Sequence, residues 1–216
     1  MNGGGMLSRI GVYATRAKDY YEIISELRRL NLDFVSLDPD SPLPKEIKVV
    51  LVAKEDALKM QGLNGVKVVE VKDKGISLLS ARIRLALQGR DKFGELIVGI
   101  DPGETYGLAV VADSALIDYR VFREVDDLLN YVKDVVEAKL AVRTLLRIGD
   151  GSPKHRDKVL STFSIGLEGV EVEVVDEALA SLTSIPSLDP PIPKDAASAL
   201  HIALKEGHRV KGGLHV

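Results

Sequence analysis

The sequence contains no cysteine, which excludes several kinds of chemistry. Without thiols there are no disulfides, no thiolate metal sites and no cysteine nucleophiles. Aromatic residues make up only 5% of the 216 residues and tryptophan is absent, so base stacking is not expected to be a main binding mode. Asparagine and glutamine are also scarce, and together with many lysines and glutamates this gives a thermophile-like composition.

Long apolar runs are missing as well. No apolar stretch reaches the roughly 18 residues of a membrane-spanning helix, so no membrane partner is expected. The glycine-rich start, residues 1–6, lacks the basic flank and apolar core of a signal peptide, and a cytoplasmic protein is therefore expected. The hydrophobic content of 45% and the charged content of 28% are ordinary for a globular protein with a real core.

The charge is unevenly distributed along the chain. The net charge is −3, but residues 1–90 carry 15 Lys and Arg against 11 Asp and Glu, whereas residues 91–216 carry 14 against 21. A nucleic-acid partner would therefore be held by local basic patches, mainly in the front part of the chain. Two groups are candidates, one near the domain junction and one at the start of a predicted helix: Arg82, Arg84 and Arg90, and Lys154, His155 and Arg156. The second group fits either a phosphate site or a solvated helix face.

The chain is predicted to form two domains, a small α/β domain over residues 1–90 and a second domain over residues 95–216. Between them, residues 88–94 end a predicted helix, contain two glycines and three charged residues, and precede a new strand. Strand and helix patterns alternate in the first domain, which predicts a small βαβ-type layer. The turn after its first strand, residues 13–16, lacks a phosphate-binding glycine pattern, so neither a nucleotide nor a role is assigned to it.

The second domain has the clearer pattern. Residues 96–101 are apolar on both faces and are predicted to form a central buried strand. The periodicities give the order β-β-β-α-β-α-β-α, which predicts a mixed five-stranded sheet with helices. The later elements are predicted as strands at residues 107–112 and 116–123, a helix at 125–138, a strand at 143–149, a helix at 155–167, a strand at 170–175 and a helix at 194–205.

Carboxylates follow three of these predicted strands. Asp101 ends the first strand, Asp150 follows the fourth, and Asp176 and Glu177 follow the fifth, while Asp195 lies near the start of the last helix. If the first, fourth and fifth strands are parallel, these groups meet at the sheet edge where ligands of open α/β sheets bind. Clustered carboxylates need hard cations such as Mg²⁺, and two ions about 4 Å apart support phosphodiester cleavage.

Each carboxylate also has a purely structural interpretation. The sequence Asp101-Pro102-Gly103 fits a type II turn with a positive φ at the glycine, and Asp150 begins another turn-like segment. With Pro193 as the first helical residue, Asp195 lies in the first turn, where the helix dipole stabilises a negative charge. The functional interpretation depends on the joint occurrence of these residues at strand ends.

Three segments within residues 95–206 resemble nucleases of the RNase H-like superfamily. Residues 97–103, Ile-Val-Gly-Ile-Asp-Pro-Gly, and residues 106–110, Tyr-Gly-Leu-Ala-Val, resemble the first motif of RuvC-type Holliday-junction resolvases and their YqgF-type relatives. Residues 174–181, Val-Val-Asp-Glu-Ala-Leu-Ala-Ser, resemble the YqgF segment in which a strand ends in Asp-Glu-Arg. Residues 195–203, Asp-Ala-Ala-Ser-Ala-Leu-His-Ile-Ala, resemble the closing RuvC helix with its Asp-Ala-Ala-Asp run.

The resemblance implies an RNase H-like domain and a nuclease that hydrolyses phosphodiester bonds in structured DNA or RNA with two Mg²⁺ or Mn²⁺ ions. Asp101 matches the first-strand metal ligand, Glu177 the YqgF glutamate, and Asp195 the first aspartate of the last helix. Asp150 lies near the position where RuvC carries a glutamate on its fourth strand, so its assignment is positional. A two-fold junction as substrate would favour a homodimer.

Two departures from the family pattern keep other functions open. Ala178 stands where the YqgF pattern has arginine, and Ser198 stands where RuvC has its second helix aspartate. An alternative is therefore a catalytically inactive module of the same fold that binds nucleic acid or protein. The segment around Asp101, followed by Thr105, also resembles the phosphate-binding hairpin of sugar kinases and actin-like ATPases, but the chain is too short for the second large lobe of those proteins.

Overall fold

The computed structural model describes residues 9–38, 40–60, 62–71, 78–164, 167, 170–176 and 191–209. The chain divides into two units, Met1–Asp91 and Lys92–Val216. Among the helices of these described ranges, none is both long and apolar enough to cross a membrane.

The first unit is a parallel sheet with helices. The elements are β1 (Ile10–Tyr13), α1 (Ala17–Arg29), β2 (Val35–Ser36), β3 (Val49–Ala53), a 3-10 helix (Lys54–Met60), β4 (Lys67–Val71) and α2 (Leu79–Gln88). The strands have the spatial order β2-β1-β3-β4, and every neighbouring pair is parallel. Helices connect most of the strands, as parallel pairing requires.

Strand β3 is buried on both faces, which explains its unbroken Val-Val-Leu-Val-Ala sequence. Val49 and Leu51 face a core that includes residues of α1 and α2. Val50 and Val52 face a second cluster, in which Ala57 and Met60 of the 3-10 helix take part. The predicted βαβ-type layer is confirmed, whereas the 3-10 helix was not predicted because its seven residues are too few for a clear helical period.

The second unit follows the predicted order of elements. Each predicted strand and helix occurs within a few residues of its expected place. The elements are β5 (Phe93–Pro102), β6 (Tyr106–Ala112), β7 (Ala115–Phe122), α3 (Val125–Glu137), β8 (Ala141–Gly149), α4 (Pro153–Ser164), β9 (Glu171–Val175), α5 (Lys194–Leu204) and β10 (His208–Arg209).

These strands form one mixed sheet in the order β10-β9-β8-β5-β6-β7. Strands β5, β6 and β7 are an antiparallel meander, while β8 is parallel to β5 and β9 is parallel to β8. The sheet has six strands rather than the predicted five, because the two-residue strand β10 pairs antiparallel with β9. So short a strand has no alternation that a sequence pattern would reveal. The unit is thus a mixed α/β sheet with helices, and this arrangement is consistent with the RNase H-like fold expected from the sequence.

Helix α5 lies unusually close to the centre of this sheet. A Cβ atom on Gly99 would be 2.2 Å from the carbonyl oxygen of Ala199 and 2.7 Å from the Cβ of Ala203. The absence of a side chain at Gly99 therefore permits the close approach. Ala109, the cross-strand partner of Gly99, and Val111, the partner of Ile97, pack with Ala199 and Ala203 in a buried cluster on the same face. This packing sets the distance between helix α5 and strands β5 and β6.

Candidate functional site

The predicted strand ends meet at one edge of the second sheet. Asp101 is the penultimate residue of β5, and Asp150 directly follows β8, which is parallel to β5. The backbone N–H of Asp150 donates to the carbonyl of Val175, 3.1 Å away, so the ends of β8 and β9 are joined. Asp176 follows β9 at the same edge and is exposed. The carboxyl ends of the three parallel strands thus lie side by side.

Asp195 reaches this edge from helix α5. Pro193 is the N-cap rather than the first helical residue, so Asp195 is the second residue of the helix and lies in its first turn, as predicted. Its backbone lies directly against Gly107, where a Cβ atom would be 2.0 Å from the Asp195 carbonyl oxygen. Gly107 is the cross-strand partner of Asp101. Since paired residues point to the same face of a sheet, Asp101 and Asp195 are neighbours on the α5 face.

Thr105 makes a direct contact with Asp195. Its hydroxyl donates a hydrogen bond to Oδ2 of Asp195, and both residues are half-buried. Thr105 lies in the three-residue loop between β5 and β6. Sequence reasoning noticed this threonine only through the kinase-like hairpin and gave it no place in the site. Its position two residues after Gly103 in the first motif was the available signal.

The type II turn predicted from Asp101-Pro102-Gly103 is wrong. Pro102 is still part of β5 and pairs with Tyr106, and the φ angle of Gly103 is not positive. A type II turn would need the left-handed conformation at that glycine. The chain instead stays extended through Pro102, which carries Asp101 to the end of a paired strand.

Glu177 and Ala178 lie outside the described residues, so the role of Glu177 stays a prediction. The neighbouring Asp176 accepts a hydrogen bond at its carbonyl from Nζ of Lys205, 3.0 Å away. Ser198 is half-buried in α5.

The side-chain oxygens at this edge are of the chemical type that binds hard divalent cations. Carboxylates and hydroxyls are ligands that Mg²⁺ and Mn²⁺ accept. Within the described part of the chain, however, no group of three or more His, Cys, Asp or Glu side chains is placed to hold a metal ion. Asp101, Asp150 and Asp195 alone do not form such a group. The third carboxylate predicted from the sequence, Glu177, lies outside the described residues.

The start of α4 forms a separate polar cluster at this end of the sheet. Nδ1 of His155 is 2.7 Å from Oγ of Ser152, and its Nε2 is 3.9 Å from a carboxylate oxygen of Glu104. The imidazole also meets the ring of Tyr106 edge-on. Arg156 is paired with Asp157 at 2.8 Å. His155 is therefore a half-buried, hydrogen-bonded side chain rather than part of a fully solvated face.

A buried ion pair holds the other end of α5, and the sequence did not reveal it. Nε of Arg147 on β8 donates to Glu173 on β9 at 2.9 Å, and its Nη1 donates to the carbonyl of Ala203 at 2.7 Å. The pairing register places Gly99, Arg147 and Glu173 side by side on three strands. Helix α5 is thus fixed near both ends, by Arg147 at its last turn and by Thr105 and Gly107 at its first.

Comparisons with known proteins give one family match and several distant structural similarities. A response regulator receiver-like domain matches residues 9–78, within the first unit. No curated protein matches the chain. The structure of RuvC from Thermus thermophilus is 18% identical, with a TM-score of 0.39, over 50% of this chain and 90% of that one.

Two further solved structures are more distant. Argonaute from Marinitoga piezophila, in complex with a 5′ OH guide RNA, is 10% identical with a TM-score of 0.26, over 78% of this chain and 39% of that one. The ethanolamine utilization protein EutJ from Carboxydothermus hydrogenoformans is 14% identical with a TM-score of 0.26, over 86% of this chain and 75% of that one. At these TM-scores the similarities carry no functional argument.

Proposed function

We propose that the second unit is a divalent-metal-dependent nuclease domain that acts on structured DNA or RNA, as its RuvC- and YqgF-like motifs imply. The observation that carries the proposal is the position of Gly107. It pairs with Asp101 on the neighbouring strand and lies against the backbone of Asp195. Two residues 94 positions apart in the sequence are thereby neighbours on one face of the sheet.

Asp101 and Asp195 would hold the cation, with Glu177 as the predicted third ligand and Asp150 as a fourth member assigned by its position after β8. When bound, Mg²⁺ or Mn²⁺ would activate a water molecule and stabilise the leaving oxygen of a phosphodiester. The protein itself contributes a rigid backbone that holds Asp101 and Asp195 in place. Asp101 lies on a strand paired on both sides, and the backbone and side chain of Asp195 are both held by the start of β6 and its preceding loop.

A second candidate is a catalytically inactive binding module. Ser198 replaces the second helix carboxylate of the RuvC pattern, and the described residues supply two neighbouring carboxylates rather than three. Losing one ligand would weaken a metal position while leaving the fold intact.

A cleavage assay on the full chain separates the two candidates. Substrates are a four-way DNA junction, duplex DNA, single-stranded DNA and single-stranded RNA, each with Mg²⁺, Mn²⁺ or EDTA. The nuclease predicts cleavage of at least one substrate that requires metal and falls about 100-fold or more in Asp101→Asn and Asp195→Asn, since even outer-shell losses cost about 10- to 100-fold. The matched control Asp157→Asn, at an exposed carboxylate of α4, should cleave normally. Binding without cleavage would support the inactive module.

A further inference from the structure

The sheet of the first unit is covered differently on its two faces. Helices α1 and α2 cover the face of Val49 and Leu51. The face of Val50 and Val52 is covered by the 3-10 helix and by the segment between β2 and β3. A single short 3-10 helix and an irregular segment cover less of a sheet than two α-helices do. Between them lies a cavity of about 320 Å³.

The cavity has the size and the position of a small-molecule site. Ligand pockets measure roughly 300–1,000 Å³ and are mostly apolar. Ser36, the last residue of β2, and Lys59, in the 3-10 helix directly after β3, both line the cavity. It therefore lies outside the carboxyl ends of parallel strands, where open α/β sheets bind ligands. Its apolar lining consists of Leu37, Pro42, Leu43, Pro44, Met60 and Leu63.

The floor of the cavity depends on a glycine of the neighbouring strand. A Cβ atom on Gly11 of β1 would be 2.5 Å from Cδ1 and 2.9 Å from Cγ of Leu37. The backbone N–H of Leu37 donates to the carbonyl of Val12, 2.9 Å away, which holds Leu37 beside β1. The Leu37 side chain thus lies flat on β1 because Gly11 has no side chain. A larger residue at position 11 would push Leu37 into the cavity.

Two charged groups of opposite sign border the cavity, and both are held in place. Asp38 accepts hydrogen bonds from the backbone N–H of Asp40 at 3.0 Å and from the hydroxyl of Ser41 at 3.1 Å. Among the described residues, these bonds fill about half of the roughly four acceptor positions of its carboxylate. Nζ of Lys59 donates to Asp56 at 3.0 Å, and this hydrogen bond raises the pKa of Lys59. Lys59 is therefore an ammonium donor at neutral pH, with three N–H groups.

A ligand that fits this lining has a compact apolar body, N–H donors for Asp38 and acceptors for Lys59. Guanine combines these features, because its N1 and N2 groups are adjacent donors and its O6 and N7 atoms are acceptors that lysine recognises. We propose that the cavity binds one guanine base, with its ring between the leucine, proline and methionine side chains. The base would come either from a free nucleoside or from a single nucleic-acid strand.

The test follows the methyl group of Met60, which lines the cavity. The chain has three methionines, so ¹³C-methyl labelling gives three NMR signals, and the Met60 signal is the one lost in Met60→Leu. Guanosine and adenosine are titrated into the full chain of wild type, Asp38→Asn and Gly11→Ala. Asp40→Asn, at an exposed carboxylate of the same loop, is the matched control. Urea unfolding checks that each variant is folded.

Guanosine should shift the Met60 signal saturably, with a Kd below about 1 mM and about tenfold below that of adenosine. Asp38→Asn should lose about tenfold in guanosine affinity and most of the preference, because hydrogen bonds to a charged acceptor become bonds to a neutral one. Asp40→Asn should keep both. Gly11→Ala should weaken the two nucleosides alike, because Leu37 then occupies part of the cavity.

A single-stranded DNA pentamer with one central guanine among thymines separates the two sources of the base. Tighter binding of the pentamer than of guanosine assigns the base to a nucleic-acid strand, and equal or weaker binding assigns it to a free nucleoside. The proposal is overturned if neither probe shifts the Met60 signal saturably, or if Asp38→Asn leaves guanosine binding unchanged. Asp38→Asn is on an exposed loop and decides the question even if Gly11→Ala does not fold. The proposed nuclease site belongs to the second unit, so neither result bears on it.

Discussion

Gly107 faces the backbone of Asp195 so closely that a Cβ atom there would lie 2.0 Å from the Asp195 carbonyl oxygen and 2.4 Å from its carbonyl carbon. Real Cβ atoms do not approach backbone atoms this closely, and backbone gives way less easily than a side chain. The glycine is thus what allows a helix residue to meet the strand pair that carries Asp101.

Gly107→Ala is predicted to push the start of α5 away from the sheet. Overpacking of this kind costs about 1–3 kcal/mol, and it should also weaken Mn²⁺ binding because it displaces Asp195 relative to Asp101. Urea unfolding and Mn²⁺ titration measure the two effects. The control is Gly103→Ala, where the nearest atom to a Cβ is the Thr105 carbonyl oxygen at 3.2 Å and where a smaller loss is expected. Equal effects of the two substitutions would contradict this explanation.

The convergence of the strand ends could be predicted from the sequence, whereas the contacts that orient the carboxylates could not. Apolar runs and the carboxylates after them located the ends of β5, β8 and β9. Arg147 and Glu173 read as ordinary charged residues, because only the register across three strands shows that they pair beneath α5. The hydrogen bond from Thr105 to Asp195 was not predicted for the same reason, since the two residues are 90 positions apart.

In the first unit, Asp56 is predicted to make the free energy of unfolding depend on pH in the acidic range. It is 2% exposed and accepts hydrogen bonds from the backbone N–H and hydroxyl of Thr15 and from Lys59. Burial alone would raise the pKa of Asp56, but these hydrogen bonds and the Lys59 charge outweigh it, and the pKa is lowered from 3.8. A lowered folded-state pKa stabilises the protein above the unfolded value, and this contribution is lost as pH falls through the folded pKa.

This dependence is tested by measuring the free energy of unfolding of wild type and Asp56→Asn at pH 7 and at pH values below 3.8. At pH 7 the variant should be less stable by about 1.5–3 kcal/mol, the usual value of hydrogen bonds to a charged group. The difference should shrink as the pH falls, because wild-type Asp56 then also becomes neutral. A difference that stays constant with pH would show that the charge of Asp56 contributes nothing.

The two units are proposed to fold independently. The chain divides at Asp91 and Lys92, next to the glycine-containing segment that follows α2. Limited proteolysis should cut within residues 88–94 first, and residues 92–216 expressed alone should show the cooperative unfolding of a complete domain. A fragment that does not fold, together with no cleavage in this segment, would indicate one fused domain.

The basic residues in α2 and directly after it are predicted to contact nucleic acid. Arg90 is exposed, while Arg82 and Arg84 are half-buried in α2, so Arg90→Gln should have the largest effect. Loss of one phosphate contact lowers the salt dependence of binding by about one unit of slope. Binding isotherms at several salt concentrations, with Lys18→Gln as an exposed control in α1, measure that slope. An unchanged slope in Arg90→Gln would remove this group from the binding surface.

Anomalous diffraction from crystals soaked in Mn²⁺ shows whether Asp101 and Asp195 form a divalent-metal site. At least one Mn²⁺ peak is expected about 2.1–2.3 Å from a carboxylate oxygen of each residue, between the typical ligand distances of Mg²⁺ and Ca²⁺. The same soak of Asp101→Asn crystals should give no peak there. A wild-type map without manganese at Asp101, or a peak that persists unchanged in Asp101→Asn, would contradict the claim.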